Sequence, residues 1–458
     1  MNVIISKFLA VYLSILSLSA FPDTASLRKN KQVPPPGFHT WAPTPPMGWN
    51  SWDCFGPTVV ESEVKANADY MAKYLRPYGW EYIVVDIRWY VANDKTHGYN
   101  QHNPEYTIDK YGRFLPAENR FPSSKNGQGF KPLADYIHHR GLKFGIHIMR
   151  GVPVIAVKQR TPVKGTNVTA ADIFSMKDSC SWLSDMYTVD ASKTGSQAYY
   201  NSLFELYASW GLDFVKVDDL SAPYHADEIN MIRNAINHTG RKIVFSTSPG
   251  ETPVAFAADV TSKANMWRVI GDFWDRWNQV DEHFDIFERW NKWRKPGAWP
   301  DGDMLPLGKI GIRAEVGSPR MTALTRDEQY TLMTLFAIFR SPLFFGGNLP
   351  DNDSFTLSLL TNHRVLEVLR NSTNNRQLFK DSSHVAWTAD NPRTGEKYLA
   401  LFNRTNHTIK IPVELLQIGV NQQHYKVTDL WTGKKSGMLS GKFQPEINPH
   451  GTGFYKIQ

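Results

Sequence analysis

The sequence predicts an α/β chain: a (β/α)8 TIM barrel followed by a C-terminal antiparallel β-sandwich. About eight short apolar segments alternate with helix-like segments over roughly 330 residues, which implies parallel βαβ units and, at eight units, a closed barrel. Those segments repeatedly end on polar or ionisable residues, and strand C-termini in such a barrel share one mouth. From about Leu378 the pattern changes to short β-rich runs separated by turn residues, which reads as a sandwich. A doubly wound open sheet would want a G-x-G-x-x-G turn after its first strand, and none occurs there. The expected division is an export signal over 1–25, the barrel over 26–375 and the sandwich over 376–458.

The first segment has Lys7 as a small positive region, then an apolar run from Phe8 to Ala20 that is too short to span a bilayer. Cleavage after Ala20 or Ala25 would leave a secreted or periplasmic protein with no membrane anchor. After a Pro-rich approach come Met47-Gly-Trp-Asn-Ser-Trp52, a helix over Val64 to Leu75, and the buried strand Glu81-Tyr-Ile-Val-Val-Asp86. A helix over Phe130 to Arg140 tolerates Pro132 in its first turn and leads into the strand Leu142 to Ile148. The polar stretch from Gly151 to roughly Thr188 is too long for a plain connector and reads as a functional insertion over the site. Helix 197–210 then precedes the stretch that organises the chain, Phe214-Val-Lys-Val-Asp-Asp219. There Val215 and Val217 alternate with Lys216 and Asp218, as in a buried strand whose end opens into a site. Helix 226–238, strand Lys242 to Ser246, Met266 to Ile270, a Trp-rich helix 274–293, Trp299 to Met304, helix 326–339 and Pro342 to Phe345 complete the barrel. The sandwich is expected from Val385 to Thr388, Lys397 to Phe402, Thr408 to Pro412, Tyr425 to Trp431 and Thr452 to Ile457, packed against the barrel.

Residues at the strand tips are Trp52, Asp86, His147, Lys216, Asp218, Ser248, Arg268, Asp272 and Asp303. A mouth with several carboxylates, tryptophans and a few basic residues, but no phosphate-binding glycine loop, suits carbohydrate hydrolysis. That reaction needs a nucleophilic carboxylate and a proton-donating carboxylic acid, about 5–5.5 Å apart when configuration is retained. Spacing alone does not choose the pair among Asp86, Asp218, Asp219, Asp272, Asp275, Asp301 and Asp303. Fifteen tryptophans suit either sugar stacking or a large core. The net charge of +7 is scattered, so nucleic acid is not an expected partner. His138 and His139 face different ways on one helix and no H-E-x-x-H occurs, so no metal or other cofactor is expected. No G-x-S-x-G elbow supports a serine hydrolase. The two cysteines, Cys54 and Cys180, could pair in an oxidising compartment.

Six blocks in register resemble glycoside hydrolase family 27, the α-galactosidases (melibiases) and α-N-acetylgalactosaminidases. They are Thr44 to Trp52, Val85-Asp-Ile-Arg-Trp89, Val215-Lys-Val-Asp218, Trp267-Arg-Val-Ile-Gly-Asp272, Trp299-Pro-Asp-Gly-Asp-Met304 and Ser341-Pro-Leu-Phe344. The resemblance implies that Asp218, in a K-x-D motif, is the nucleophile. It implies that Asp272, in an R-x-x-x-D motif with Arg268, is the general acid/base of a retaining double displacement on an oligo- or polysaccharide. On this reading Lys216 favours the ionised form of Asp218, and nearby negative charge favours a proton on Asp272. It further implies that Trp52 packs on the apolar face of the sugar, and that Asp86, Lys216, Arg268 and Asp303 bind it. Cys180 falls near a cysteine beside the sugar whose usual disulfide partner position is Leu220 here, so the family's bridge is absent.

Three departures bear on the substrate. Galactosidases of the family usually carry two aspartates at the end of strand 2, gripping the 4- and 6-hydroxyls, and here the second is Ile87. His147 stands where a tyrosine is usual, and Thr247-Ser-Pro-Gly250, with Ser248, replaces the usual loop sensing the 2-substituent. The first expectation is hydrolysis of terminal α-D-galactosyl residues, with Ile87 turned into the barrel wall and His147 or Arg88 holding the 6-hydroxyl. The rival is β-L-arabinopyranose, which is α-D-galactopyranose without its hydroxymethyl group, because an aliphatic residue cannot reward that hydroxyl. A non-catalytic glycan-binding protein on the same scaffold would be expected to lack Asp218 or Asp272, and both are present.

Overall fold

Runs such as Tyr82-Ile-Val-Val85 and Phe214-Val-Lys-Val-Asp218 are buried along their length, as strands covered on both faces must be. The computed structural model describes residues 37–421 and 423–458, so the expected export signal over 1–25 lies outside the described residues. The parallel strands are β1 (Met47–Asn50), β2 (Tyr82–Val85), β3 (Lys143–Met149), β4 (Phe214–Asp218), β5 (Val244–Thr247), β6 (Met266–Arg268), β7 (Trp299–Asp301) and β8 (Leu343–Phe345). Each pairs in parallel with its neighbours in sequence, and β8 returns to β1. β7 is interrupted at Gly302 and Asp303 and resumes as Met304–Leu305, which pairs with β8. The two halves of this broken strand close the ring through the chain itself, and Asp303 takes a left-handed φ of 79° at the break. The sequence reading of Trp299 to Met304 as one strand missed that break.

Helices α1 (Glu61–Tyr70), α2 (Lys131–His138), α3 (Ser196–Trp210), α4 (Ala226–His238), α5 (Ala257–Lys263), α6 (Trp277–Trp290) and α7 (Arg326–Phe339) alternate with the strands. α8 (Ser354–Leu360) and α9 (His363–Asn371) follow β8. Among the described residues no helix is long and apolar enough to cross a membrane. Most of the tryptophan wealth is buried: Trp49, Trp80, Trp89, Trp267, Trp290, Trp299 and Trp387 fully so, with Trp52, Trp210 and Trp274 nearly as deep. Several have their indole N–H satisfied, Trp49 on Gly347 O at 2.8 Å and Trp80 on Leu360 O at 2.9 Å among them.

The expected insertion is a folded excursion. Its short strands Val152–Pro153, Phe174–Ser175 and Met186–Val189 form a small sheet, joined by helices Val154–Lys158 and Ala170–Ile173. Arg88, just past β2, anchors it from below. Its Nε and Nη2 donate to Asp185 at 2.8 Å each, and the hydroxyls of Tyr90 and Tyr106 donate to the same carboxylate at 2.8 and 2.6 Å.

The C-terminal sheet runs in the order β9 (Thr373–Lys380), β10 (His384–Asp390), β11 (Lys397–Asn403), β13 (Thr452–Ile457), β12 (Val427–Asp429), all antiparallel. The boundary read at 375/376 falls inside β9, whose polar sequence hid it. Alternation buries both faces. Val385, Trp387, Tyr398, Ala400 and Phe402 join the barrel core, while Ala386, Leu399 and Leu401 join Ile411, Val413 and Ile447 in a second core. Polar contacts add to the junction: Trp431 Nε1 donates to Thr334 Oγ1 at 2.9 Å, and Arg404 is bidentate on Asp281 at 2.6 Å.

Candidate active site

At the C-terminal ends of the barrel strands lies a cavity of about 360 Å³. Its walls include Trp52, Asp86, Ile87, His147, Lys216, Asp218, Ser248, Arg268 and Asp272, all anticipated from the sequence. Two other anticipated residues sit elsewhere. Asp303 lies behind the wall, where its Oδ1 is 2.8 Å from Arg268 Nη1 and 3.8 Å from Lys216 Nζ. Its Oδ2 accepts from Phe273 N at 2.9 Å, so it holds the two cations in place from beneath. Cys180 is half-buried in the insertion, outside the cavity wall, and burial pushes its thiol up to about 12. Cys54 is buried with its Sγ donating to Ser51 O at 3.6 Å, and both thiols are free. The pairing that an oxidising compartment would allow is therefore not formed in this structure.

The strand tips are tied to one another through the backbone. Ser51 N donates to Val84 O at 3.3 Å, and Ser51 Oγ accepts from Asp86 N at 2.9 Å, which locks the ends of β1 and β2 together. Ile87 follows directly: its N–H donates to Asp86 Oδ1 at 2.8 Å, and its side chain, 1% exposed, stands in the cavity wall. The alternative holder of a 6-hydroxyl, Arg88, is fully buried and committed to Asp185 and Asp94. Arg150, just past β3, fixes the backbone around Asp218. Its N–H donates to Asp218 O at 3.1 Å, its Nε to Asp219 O at 2.6 Å, and its guanidinium pairs with Asp219 and Glu228 at 2.8 and 2.6 Å.

His147 occupies the centre. Its Nδ1 lies 2.6 Å from Asp86 Oδ2 and its Nε2 3.0 Å from Asp218 Oδ1, both off the ideal N–H axes. Burial disfavours the charged ring, but Asp218 and Asp86 outweigh it and raise His147 to about 9. Burial likewise disfavours an ionised Asp86, and His147 reverses that, holding its carboxyl below the usual value. Donor atoms of Asp86, His147 and Asp218 lie within 4.8 Å of one another, a spacing that a metal ion could bridge. Each ring nitrogen of His147 faces a carboxylate at ion-pair distance, so the three groups form a charge-balanced chain. Below the site, burial and the nearby Asp303 push the Asp53 carboxyl well above the carboxylate range.

Asp272 differs from Asp218 in access. Asp272 is 58% exposed and accepts from Arg268 Nη2 at 2.9 Å, whereas the Asp218 side chain is almost fully buried. Sequence reasoning missed Tyr99, Trp182, Met304 and Glu315, which complete the wall with Pro249 of the Thr247-Ser-Pro-Gly250 loop. Tyr99 stacks on Trp52 with ring centroids 5.8 Å apart and meets Trp182 at 6.2 Å, so three loops build one aromatic rim. Gln101 ties two of those loops, donating to Trp182 O and accepting from Ser184 N, both at 3.1 Å. The reading of 151–188 as a segment over the site could have pointed to Trp182; nothing in the pattern around Tyr99 or Glu315 marked them.

A barrel mouth with two buried aspartates and one open one, flanked by tryptophan and basic groups, is the arrangement of a glycoside hydrolase, and comparisons with known proteins agree. The family described as alpha galactosidase A matches residues 158–371, and the alpha galactosidase C-terminal beta sandwich domain matches 381–457. A family 27 β-L-arabinopyranosidase from Geobacillus stearothermophilus is 51% identical, with 92% of this chain and 98% of that one covered and a TM-score of 0.90. Alpha-galactosidase 2 of Arabidopsis thaliana is 26% identical over 90% of this chain and 89% of its own length. An alpha-N-acetylgalactosaminidase of Gallus gallus is 27% identical over 90% and 92%. The chain belongs to glycoside hydrolase family 27.

Proposed function

We propose that the protein is a retaining exo-glycosidase that releases terminal β-L-arabinopyranosyl residues. The observation that carries this reading is Ile87: its side chain forms part of the cavity wall beside Asp86, and Arg88 and His147 are both committed to other carboxylates. The hydroxymethyl group of a galactoside would meet an aliphatic surface there, while the bare ring methylene of an arabinopyranoside would pack against it. This reverses the order of the two substrates expected from the sequence. The 51% identity to a β-L-arabinopyranosidase, against 26% for the plant α-galactosidase, supports the same choice.

In the mechanism, Asp218 attacks the anomeric carbon while Asp272 protonates the leaving oxygen, giving a covalent glycosyl-enzyme. Water, deprotonated by Asp272, then releases the sugar with its configuration retained. Their different access fits the two roles, since the acid/base must meet water and the nucleophile need not. Asp86, paired with His147, and Lys216 and Arg268, both anchored on Asp303, supply fixed charge for the ring hydroxyls. The test compares initial rates on p-nitrophenyl β-L-arabinopyranoside and p-nitrophenyl α-D-galactopyranoside, with NMR of the first-formed product. Higher kcat/KM on the arabinoside and initial release of the β-anomer are expected. A preference for the galactoside would reject the substrate, and an inverted first product would reject the double displacement.

A further inference from the structure

His147 lies in register with Lys216 of the neighbouring strand, and Asp218 stands two residues further along that strand. The charged groups facing its ring are Asp86 from the end of β2 and Lys216 and Asp218 from β4. The ring is buried, and its own carbonyl accepts from Trp89 Nε1 at 2.8 Å, which fixes the backbone from which it projects. Ionised carboxylates carry no proton, so a ring standing between two of them at 2.6 and 3.0 Å faces them as an imidazolium in ion-pair contact, off the ideal N–H axes. That makes the ring a bridge between a sugar-binding carboxylate and the nucleophile.

We propose that His147 is the positioning residue of the nucleophile: its Nε2, 3.0 Å from Asp218 Oδ1, fixes that oxygen by ion pairing, leaves Oδ2 to attack, and favours release of the sugar from the glycosyl-enzyme. This rests on the double-displacement reading above. In the second half-reaction the water oxygen bonds to the anomeric carbon and the bond from that carbon to Asp218 Oδ2 breaks. The bonding pair returns to the carboxylate and the water proton passes to Asp272. Negative charge thus grows on Asp218 as the ester breaks, and a protonated ring nitrogen 3.0 Å from Oδ1 stabilises that charge more than it stabilises the neutral ester. In the first half-reaction charge leaves Asp218, so the same contact gives no help there. The effect of His147 therefore falls on deglycosylation.

Stopped-flow release of p-nitrophenol from the β-L-arabinopyranoside by His147→Gln and His147→Phe tests this. Expected are a burst approaching one equivalent per site and a steady rate lowered by about 10–100-fold. kcat and KM should fall together while kcat/KM moves by less than about tenfold. An unchanged kcat, or a kcat lost without a burst and at unaltered KM, overturns the proposal. ¹⁵N NMR of histidine-labelled wild type needs no variant to fold: one ring should keep both N–H groups at about pH 8, where a free imidazole is neutral. A spectrum in which every ring is neutral at that pH overturns it as well. Wild type that turns over neither glycoside overturns both this role and the reading on which it rests, whereas active wild type with a burst-free variant removes only the role of His147.

Discussion

If the site takes β-L-arabinopyranosides as proposed, replacing Ile87 by aspartate should turn it toward galactosides. In the wild type, a galactoside must bury its 6-hydroxyl against Ile87 without a partner, a penalty of about 1–3 kcal/mol, or roughly 5- to 150-fold. The substitution removes the branched side chain and offers a charged acceptor worth about 1.5–3 kcal/mol, so kcat/KM on the galactoside should rise by roughly 10- to 100-fold. The arabinoside loses its packing against Ile87 and gains no partner, and should fall by about 3- to 10-fold, one or two buried methylenes' worth. The ratio of the two specificities should therefore shift by about two to three orders of magnitude. The new carboxylate stands beside Asp86, whose charge is already balanced by His147, so some stability is lost and melting must be measured alongside. Paired progress curves on the two p-nitrophenyl glycosides give the ratio, and Ile87→Ala separates making room from supplying an acceptor. A folded Ile87→Asp enzyme that still hydrolyses the arabinoside and gains nothing on the galactoside would refute the assignment of Ile87 as the discriminating residue.

Asp218→Ala should keep its fold by circular dichroism and drop turnover below about a thousandth of wild type. Azide should restore product as the glycosyl azide, and substantial hydrolysis without azide would remove Asp218 from the nucleophile's role. Asp185→Ala leaves the guanidinium of Arg88 buried with Asp94 as its remaining carboxylate, and strips two tyrosine hydroxyls of their acceptor. A loss of about 3–5 kcal/mol, or roughly 5–10 °C in Tm, is expected, with a raised KM because the insertion carrying Trp182 loses its anchor. An unchanged Tm in scanning calorimetry would contradict this. Folding moves His147 from its ordinary 6.5 to about 9, so the folded chain binds that proton more tightly. The resulting stability, about 3 kcal/mol, is fully present below pH 6.5 and lost as pH rises through 9. Urea unfolding at pH 6 and 9.5 should show a larger loss for wild type than for His147→Phe; an equal loss would count against the charged ring.

What the sequence made legible follows from how a barrel holds its chain. A strand buried on both faces reads as an apolar run, so the residue that ends the run is conspicuous; Asp86, His147, Asp218 and Arg268 were visible for that reason. The same logic placed Asp303 at the mouth and misjudged its depth, because the break at Gly302 and the left-handed backbone at Asp303 leave no periodic trace. Arg150 was not singled out from the sequence, yet it holds the backbone carbonyls of both Asp218 and Asp219. Tyr99, Trp182 and Glu315 come from excursions whose folding depends on partners far along the chain, such as Arg88 with Asp185 or His97 with Ala314 O at 2.7 Å. Strand-encoded residues and loop-encoded residues also divide the work. On the proposed reading the charges that act on the sugar ring stand on strands or just past their ends, where a change of one residue type, as at Ile87 or His147, alters chemistry without moving backbone. The aromatic rim stands on loops that can be rebuilt without disturbing those charges. Substrate choice at the ring is therefore read from single positions at strand tips, and choice of the attached group belongs to loops whose contacts only the folded chain reveals.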